Sequence, residues 1–317
     1  MEKSRKRGLS GFALKYIAMI SMICDHANLL VIRRGVYAPY TAADGSILIP
    51  ADAPAGILLA QQVYRVFEIL GHLGFPIFIF LLTEGFLHTR SRKRYLLTLA
   101  AFAVLTEPVY DLAHYGVLWN PALQNVLVTL TVSAALLWVL DGLERRYGDA
   151  PRKRWGLTAA AVVLAGGLAL LLRGEYVFLG TTTAALLWLL RSRGVWRLVG
   201  LAPLLVVSPW CALAVPVLAL YSGERGRRGR KYFFYVFYPA HFLVLLWIGK
   251  WMAARSSGNF KKFLNRVQQS APEKRLIDRG TEKLCYLKGE PHNGNNNDPG
   301  TRLEAVGRYP APGGFLS

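Results

Sequence analysis

The chain lacks most of the residues and motifs that mark a soluble enzyme of a common class. It has only three cysteines in 317 residues, and their wide spacing implies no disulfide framework. It contains no H-E-x-x-H or C-x-x-C metal pattern, no G-x-S-x-G serine-hydrolase elbow and no Walker A sequence. We therefore expect no bound metal, and neither serine-hydrolase nor ATPase chemistry has support.

Acidic residues are also scarce, because 19 Asp and Glu stand against 38 Lys and Arg, a net charge of +19. A charge of this size can indicate nucleic-acid binding, but no zinc-finger or RNA-binding signature accompanies it. The basic residues instead form short clusters between apolar runs, which is typical of loops that face anionic lipid head groups. We expect membrane lipids as partners and no nucleic acid.

Apolar residues are abundant, at 53% of the chain, and the mean hydropathy is +0.28. Several runs approach the roughly 20 residues that a membrane-spanning helix needs. The predicted spans are residues 12–32, 69–87, 95–113, 123–140, 156–172, 176–190 and 232–252. No A-x-A cleavage site follows the first run, so we interpret it as a retained helix. The predicted fold is an all-α, polytopic integral membrane helix bundle.

Residues 195–221 can be one helix or two short helices broken near Ser208-Pro209. A proline disfavours helix in the residue before it. The broken form gives nine segments and places the basic stretch 225–231 on the same side as the amino terminus; the unbroken form gives eight. We prefer the hairpin. Residues 33–68 form a predicted outer loop in which 56–68 is an interfacial helix. Residues 1–253 are the membrane domain, and the polar tail 254–317 is predicted to be disordered.

Every second junction between the predicted spans is basic, beginning with the amino-terminal segment that precedes the first span. The third junction, residues 114–122, has no Lys or Arg. By the positive-inside rule this alternation places the amino terminus in the cytoplasm and the protein in the inner, cytoplasmic membrane. The basic residues of the second junction are Arg90, Arg92, Lys93 and Arg94.

Asp25 and His26 lie inside the first apolar run. An ionisable group there costs roughly 2.5–3.5 kcal/mol on insertion scales and usually faces a protein interior or a water-filled site. A carboxylate can orient an imidazole ring, and the ring can move a proton near neutral pH. This pair is the best candidate for chemistry in the sequence.

Helix rise places other ionisable residues at the depth of this pair. At about 1.5 Å per residue, His26 lies about 20 Å from the inner end of its span. The same outer half receives Asp25, His26, His72, Glu107, Asp111 and His114. Glu84 and His88 form a second group on the inner side, beside the Arg90–Arg94 junction. Such a junction suits a phosphate or pyrophosphate. An anionic cosubstrate inside and a His–acid site further out would fit group transfer across the membrane.

Four segments resemble the motifs of the TraX family in order and spacing, over roughly residues 10–253. They are LKYIAMISMICDH at 14–26, FPIFIFLLTEGFLHT at 75–89, YSGERG at 221–226 and KYFFYVFYPAH at 231–241. One departure is Ser222, where the family has Asn. The resemblance implies an integral membrane acetyltransferase, similar to the wider membrane acyltransferases, whose cosubstrate is acetyl-CoA. The named family member acetylates the amino terminus of conjugative pilin.

The resemblance further implies that His26 with Asp25 is catalytic and that Glu84, His88 and His241 support it. The expected reaction is acyl transfer, with His26 as general base and Asp25 orienting its ring. A covalent acetyl-histidine and direct attack on the thioester are both compatible with the sequence. The preferred nine-segment topology puts His241 in the inner half of the last span, nearer the cosubstrate than the acceptor, whereas the eight-segment topology does not.

Acetyl-CoA is expected to approach from the cytoplasm, and its phosphates to lie near one of two basic segments. The residues predicted to hold it are Arg90, Arg92, Lys93, Arg94, Arg225 and Lys231. The expected acceptor is an envelope protein amine or a glycan hydroxyl or amine. The alternative functions are a proton-coupled transporter that uses the same Asp, Glu and His residues, and a structural partner in envelope assembly. Internal repeats, which transporters often have, are not evident in this sequence.

Overall fold

A computed structural model describes residues 8–42, 45–49, 53–226 and 233–270, with side chains described as far as residue 258. Lys231 and most of the predicted tail, residues 271–317, lie outside this part of the chain.

The first half of the chain forms four α-helices. Helix α1, Gly11–Ala27, begins at Ser10, whose side chain accepts a hydrogen bond from the Ala13 backbone N–H (3.2 Å). It continues directly into a π-helix, Asn28–Val36, and a short 3₁₀ turn, Ala38–Tyr40, comes after it. Helices α2 (Ala55–Gly71), α3 (Gly74–His88) and α4 (Arg92–Tyr115) come next. The helix predicted for 56–68 is therefore present as α2.

The second half begins with three α-helices: α5 (Val126–Arg146), α6 (Pro151–Leu171) and α7 (Val177–Leu189). Two 3₁₀ helices come next, Gly194–Val206 and Pro209–Leu213, and then the short helix α8, Ala214–Ala219. The break falls at Val207 and Ser208, so the predicted interruption near Ser208-Pro209 is confirmed. Pro209 opens the second 3₁₀ helix, where its missing N–H is not needed.

Helix α9, Phe233–Ser270, is longer than the predicted span 232–252. The structure thus differs from the prediction that the tail is disordered from its start, because residues 256–270 are helical. The sequence explains this result. Phe260, Phe263, Leu264 and Val267 have the i, i+3, i+4, i+7 spacing of an amphipathic helix.

Polar and apolar side chains are distributed as in a membrane protein. Val104, Leu164 and Leu171 are 74%, 73% and 78% exposed, whereas Thr129 and Ser133 are completely buried. Six of the described helical stretches are long and apolar enough to span a membrane. They are Gly11–Val36, Ala55–His88, Arg92–Tyr115, Val126–Arg146, Pro151–Leu171 and Phe233–Gly258. The described part of the chain contains no strands beyond isolated bridges. The predicted all-α, multi-pass membrane bundle is confirmed.

The chain divides into two compact units, of which one contains the described residues of Met1–Leu30 and Val63–Trp247 and the other those of Val31–Gln62 and Ile248–Ser317. In the first unit α1 packs against α3, and α5 packs against α4, α6 and α7. The core of this unit includes Leu14, Ile77, Phe80, Leu137 and Leu187. All residues of the candidate site belong to it.

The segment after α8 returns to the start of α1. The Leu9 N–H donates to Leu220 O (2.7 Å), and the Ser222 N–H donates to Leu9 O (2.9 Å). The N–H groups of Gly11 and Phe12 bond to carbonyls further along the same segment. This pairing places the chain from Leu220 to Arg225 at the amino-terminal end of α1, as the hairpin interpretation of 195–221 predicts.

Candidate active site

Two histidines meet in the middle of the bundle. His26 Nδ1, on α1, lies 2.6 Å from His241 Nε2, on α9. Both residues are buried, with 9% and 5% of their surface exposed. The other nitrogen of His241, Nδ1, lies 3.2 Å from the Phe237 carbonyl oxygen one turn earlier in the same helix. The two rings therefore form one hydrogen-bonded unit that ends on a backbone acceptor.

The hydrogen bonds of this unit determine where its protons lie. A carbonyl can only accept, so His241 Nδ1 must carry a proton. In the neutral ring Nε2 is then an acceptor, and His26 Nδ1 must donate to it. This tautomer leaves the lone pair of His26 on Nε2. Nε2 is therefore the atom of the pair that is ready to take a proton.

The position of His241 corrects the sequence-based prediction that it lies in the inner half of the last span, nearer the cosubstrate than the acceptor, because its side chain contacts His26. Helix α9 does not start level with α1, because the Phe234 ring contacts Tyr16, at 5.8 Å between centroids. Tyr16 and His26 are about 15 Å apart along α1, and Phe234 and His241 about 10 Å apart along α9. The lengths of the His26 and His241 side chains account for the remaining difference of about 5 Å along the helix axes. The prediction was wrong since it measured depth from the expected start of each helix.

Aromatic rings surround the histidine pair. The Phe242 ring lies 4.3 Å from the His26 ring, and the His114 ring meets His26 edge to face at 6.2 Å. The Tyr110 ring stacks on His114 at 4.0 Å. The structure thus brings His26 and His114 together, as the depth argument predicts, and adds His241 to them.

Asp25 is close to His26 but is not hydrogen-bonded to it. Its Oδ2 lies 3.8 Å from His26 Nε2, and 56% of its side chain is exposed. At this separation Asp25 can stabilise a protonated ring electrostatically, whereas the orientation of the ring is fixed by His241. His72 does not join this group. Its Nδ1 lies 2.6 Å from the Glu68 carbonyl oxygen, four residues earlier in the chain.

Glu107 and Asp111 bind the loop between α4 and α5 instead of the histidines. Glu107 Oε2 accepts from Asn125 N (3.2 Å) and Asn125 Nδ2 (2.5 Å), and Asp111 Oδ2 accepts from the Asn120 N–H (2.6 Å). Both carboxylates are nearly or fully buried, and their second oxygens, Glu107 Oε1 and Asp111 Oδ1, have no hydrogen-bond partner among the residues that the structure describes. These contacts indicate that Glu107 and Asp111 have a structural role, in which each uses only one of its two carboxylate oxygens.

A cavity of about 860 Å³ opens among the basic residues at the amino-terminal end of α1. Among the residues predicted to bind the cosubstrate, Arg90, Arg94 and Arg225 line it. Lys15 also lines it and lies 4.9 Å from the centre of the Phe234 ring. The volume is within the range of ordinary small-molecule sites, roughly 300–1,000 Å³.

The cavity extends from these cations toward the histidine pair. Its lining includes Phe237 and Tyr238, on the turn of α9 that precedes His241. The Phe237 ring stacks on the His241 ring at 5.3 Å, and Tyr238 lies 5.6 Å from it. One continuous space therefore connects a basic end to aromatic residues in contact with the histidine pair.

The sequence matches the family model described as "TraX protein" over residues 10–249. The chain belongs to the TraX family. It is also 28% identical over 271 residues to the "Probable fimbrial assembly protein FimC, serogroup H1" of Dichelobacter nodosus. That alignment covers 76% of this chain and 96% of the relative. No solved structure matches.

Two of the six predicted cosubstrate-binding residues of this TraX-family chain lie elsewhere. Arg92 forms an ion pair with Asp141, which also contacts Arg145 at 3.1 Å. Lys93 lines a second, shallower cavity of about 490 Å³, which Arg94 also borders. On a helix, neighbouring residues point in different directions, so one basic cluster cannot turn all its side chains to one cavity. Lys231 is outside the described residues.

Glu84 and His88 both line the cavity, so the predicted inner group does form. Glu84 Oε1 accepts from Arg197 Nη1 at 2.9 Å, and His88 Nδ1 lies 2.8 Å from the Glu84 carbonyl oxygen. Burial and the Glu84 carboxylate raise the pKa of Tyr221 to about 12, so its hydroxyl keeps its proton. These residues form the wall of the cavity.

Sequence reasoning missed Lys15, Arg197 and Glu175 in this TraX-family chain. Lys15 did carry a signal, because a lone lysine in an apolar span is costly unless it faces a polar space. Arg197 belongs to a basic junction between two predicted spans. The positive-inside rule by itself accounts for the charge of such a junction, so Arg197 did not stand out. Glu175 lies in a short turn between α6 and α7 and has no motif around it, so nothing in the sequence singled it out.

Proposed function

We propose that this protein is an integral membrane acetyltransferase that transfers an acetyl group from acetyl-CoA to an acceptor in the cell envelope. The observation that carries the proposal is the single cavity that connects Arg90, Arg94 and Arg225 with the aromatic residues beside His241. Membership of the TraX family, which resembles membrane acetyltransferases, agrees with it.

The basic end of the cavity suits the phosphates of the cosubstrate. Arginine binds phosphate oxygens in pairs, and several cations together offset multiple negative charges. Arg90, Arg94, Arg225 and Lys15 would hold these groups, and the apolar lining beyond them suits the pantetheine arm. Acetyl-CoA would supply an acetyl group activated as a thioester. By the positive-inside rule we place this end, and the amino terminus, on the cytoplasmic side of the inner membrane.

His26 acts as general base in this proposal. Its Nε2 takes a proton from the acceptor amine or hydroxyl, while Nδ1–H remains bonded to His241 Nε2. The imidazolium that results is stabilised by Asp25, 3.8 Å away. As the acceptor atom bonds to the acetyl carbon, the carbon–sulfur bond of the thioester breaks, and the imidazolium gives its proton to the departing CoA thiolate. His241 keeps the ring of His26 in the reactive tautomer, and the Phe237 carbonyl does the same for His241.

For the acceptor we propose an envelope protein related to fimbriae or pili. The support is the relative from Dichelobacter nodosus, which is named as a probable fimbrial assembly protein. An envelope glycan would use the same base, since only the group that loses the proton differs.

The test is to supply labelled acetyl-CoA to membranes that contain the wild type, His26→Ala or Asp25→Asn at matched expression. Glu144→Gln is a suitable control because Glu144 pairs with Arg191 (2.6 Å) and does not line the cavity. We expect label in a protein or glycan with the wild type and the control, at least 100-fold less with His26→Ala, and an intermediate amount with Asp25→Asn. Equal labelling in all four samples would exclude the Asp25–His26 pair from the reaction.

A second candidate is a proton-coupled transporter. It is favoured by the buried oxygens Glu107 Oε1 and Asp111 Oδ1, which have no hydrogen-bond partner in the described part of the chain and could carry protons. Sealed vesicles with the purified protein separate the two functions. The transporter requires proton movement without acetyl-CoA, whereas the acetyltransferase requires release of free CoA thiol without a proton gradient.

A further inference from the structure

The turn between α6 and α7 has an unusual backbone. Three residues other than glycine have positive φ angles: Arg173 at 53°, Tyr176 at 57° and Val177 at 30°. Such angles are uncommon for L-residues, and for a β-branched residue such as Val177 they are outliers. A turn of this kind persists only where the surrounding structure determines it. Glu175 lies in the middle of it.

Hydrogen bonds to α5 and to Gln124, two residues before its start, hold the turn in place. The Gln124 N–H donates to Arg173 O (2.8 Å), and the Glu175 N–H donates to Gln124 O (3.3 Å). The Thr129 hydroxyl donates to Glu175 O. Gly174 is fitted so closely that an added Cβ would lie 2.7 Å from Thr129 Oγ1. The turn therefore has one position relative to α5.

Ring stacking holds the other side of the turn. The Tyr176 ring lies parallel to the Phe75 ring of α3, with 3.7 Å between centroids and 2° between planes. The Arg173 guanidinium reaches across to donate to Pro121 O at 3.0 Å. Three parts of the bundle thus fix the direction in which the Glu175 side chain leaves the turn.

The Glu175 side chain points from the turn to Tyr110. Glu175 Oε1 accepts a hydrogen bond of 2.6 Å from the Tyr110 hydroxyl, and Tyr110 is completely buried. The Tyr110 ring stacks on His114 at 4.0 Å and meets Phe242 edge to face at 5.8 Å. His114 and Phe242 are the rings that flank His26. The turn is therefore connected to the histidine pair through one hydrogen bond and a set of packed rings.

We propose that Glu175 is a positioning residue for His26: it fixes the Tyr110 ring, which in turn holds His114 and Phe242 against the His26 imidazole. The catalytic consequence rests on the proposed acetyl transfer, whereas the positioning itself does not. Without the carboxylate, the buried hydroxyl of Tyr110 has to find another acceptor, and the ring must move to do so. Other ionisable groups near the Glu175 carboxylate are Asp25, Glu107, Tyr176 and Tyr238.

Acetyl transfer by Glu175→Met, which removes the acceptor oxygen, by Tyr110→Phe and by the double variant tests the catalytic consequence. We expect each single variant to lower kcat at least tenfold and to leave the KM for acetyl-CoA within twofold of the wild type. The double variant should be no slower than the slower single variant, because both changes break the same contact. Glu144→Gln, which removes an ion pair outside the cavity, should retain the wild-type kcat.

The rate at which diethyl pyrocarbonate modifies His26, followed by mass spectrometry, tests the positioning without any need for transfer. We expect at least a threefold change in this rate in Glu175→Met and Tyr110→Phe, and none in Glu144→Gln. If the wild type transfers no acetyl group, the proposed function fails and the modification rates alone decide this inference. Unchanged modification of His26 in both variants would overturn it. If Glu175→Met does not fold, Tyr110→Phe, which keeps the ring and removes only the hydroxyl, decides.

Discussion

Replacing His241 by leucine should slow acetyl transfer about 100-fold to 1,000-fold without preventing the protein from folding. Leucine retains much of the side-chain volume but removes the acceptor that lies 2.6 Å from His26 Nδ1. Nothing then favours the tautomer with its lone pair on Nε2, and general-base catalysis, which contributes typically 10²–10⁴-fold, is largely lost. A triad histidine that is left in the wrong tautomer shows a loss of similar or larger size.

The same substitution leaves the buried Nδ1 atom of His26 without its hydrogen-bond partner, which costs roughly 1–3 kcal/mol of stability. This cost should appear as a lower melting temperature of the purified protein in lipid nanodiscs. His241→Gln offers an acceptor oxygen and should recover part of the rate. The assay is the release of CoA thiol at saturating acetyl-CoA. Transfer by His241→Leu within threefold of the wild type would refute the argument from the tautomer.

Three further predictions concern other parts of the first unit. Arg94→Glu should raise the KM for acetyl-CoA at least tenfold with little change in kcat, whereas Arg92→Gln should not, because only Arg94 lines the cavity; steady-state kinetics would show this difference. Arg197→Met should lower the unfolding free energy by about 3 kcal/mol, as expected for an isolated, largely buried carboxylate, and Glu84→Gln combined with it should restore part of this loss, measured by denaturant titration. Burial raises the pKa of Glu175 to about 7, so the folded protein binds this proton more tightly than the unfolded chain. The stability from this group is therefore greatest below about pH 4 and decreases by at most about 3 kcal/mol as the pH rises to about 7. Melting temperatures measured from pH 5 to 8 should fall less in Glu175→Gln than in the wild type, and equal slopes would contradict the prediction.

The sequence predicted those features that depend on solvation. His26 stood out because a polar pair in an apolar span is expensive, and the structure places it among buried aromatic and histidine rings. The break at Ser208-Pro209 was predictable because proline restricts the residue before it. The return of the segment near Tyr221 to the start of α1 was predictable from the charge pattern.

Features that depend on the register between helices were not predictable. The depth of His241 requires knowledge of where α9 begins relative to α1, and the contact between Phe234 and Tyr16 that reveals it is a tertiary one. Glu107 was correctly placed in the bundle, but its partner, Asn125, is the cap of the next helix and not a histidine. The position of the Glu175 side chain depends on the backbone angles of its turn, and no sequence motif predicts those angles.

The most direct test of the central claim is the rate of CoA thiol release from acetyl-CoA by the purified protein in nanodiscs, with a peptide amine supplied as acceptor. The wild type and His26→Ala are compared at the same acetyl-CoA concentration. The account predicts release that depends on the peptide with the wild type and is at least 100-fold slower with His26→Ala. Equal release by the two proteins would contradict it, because His26 would then not be the base.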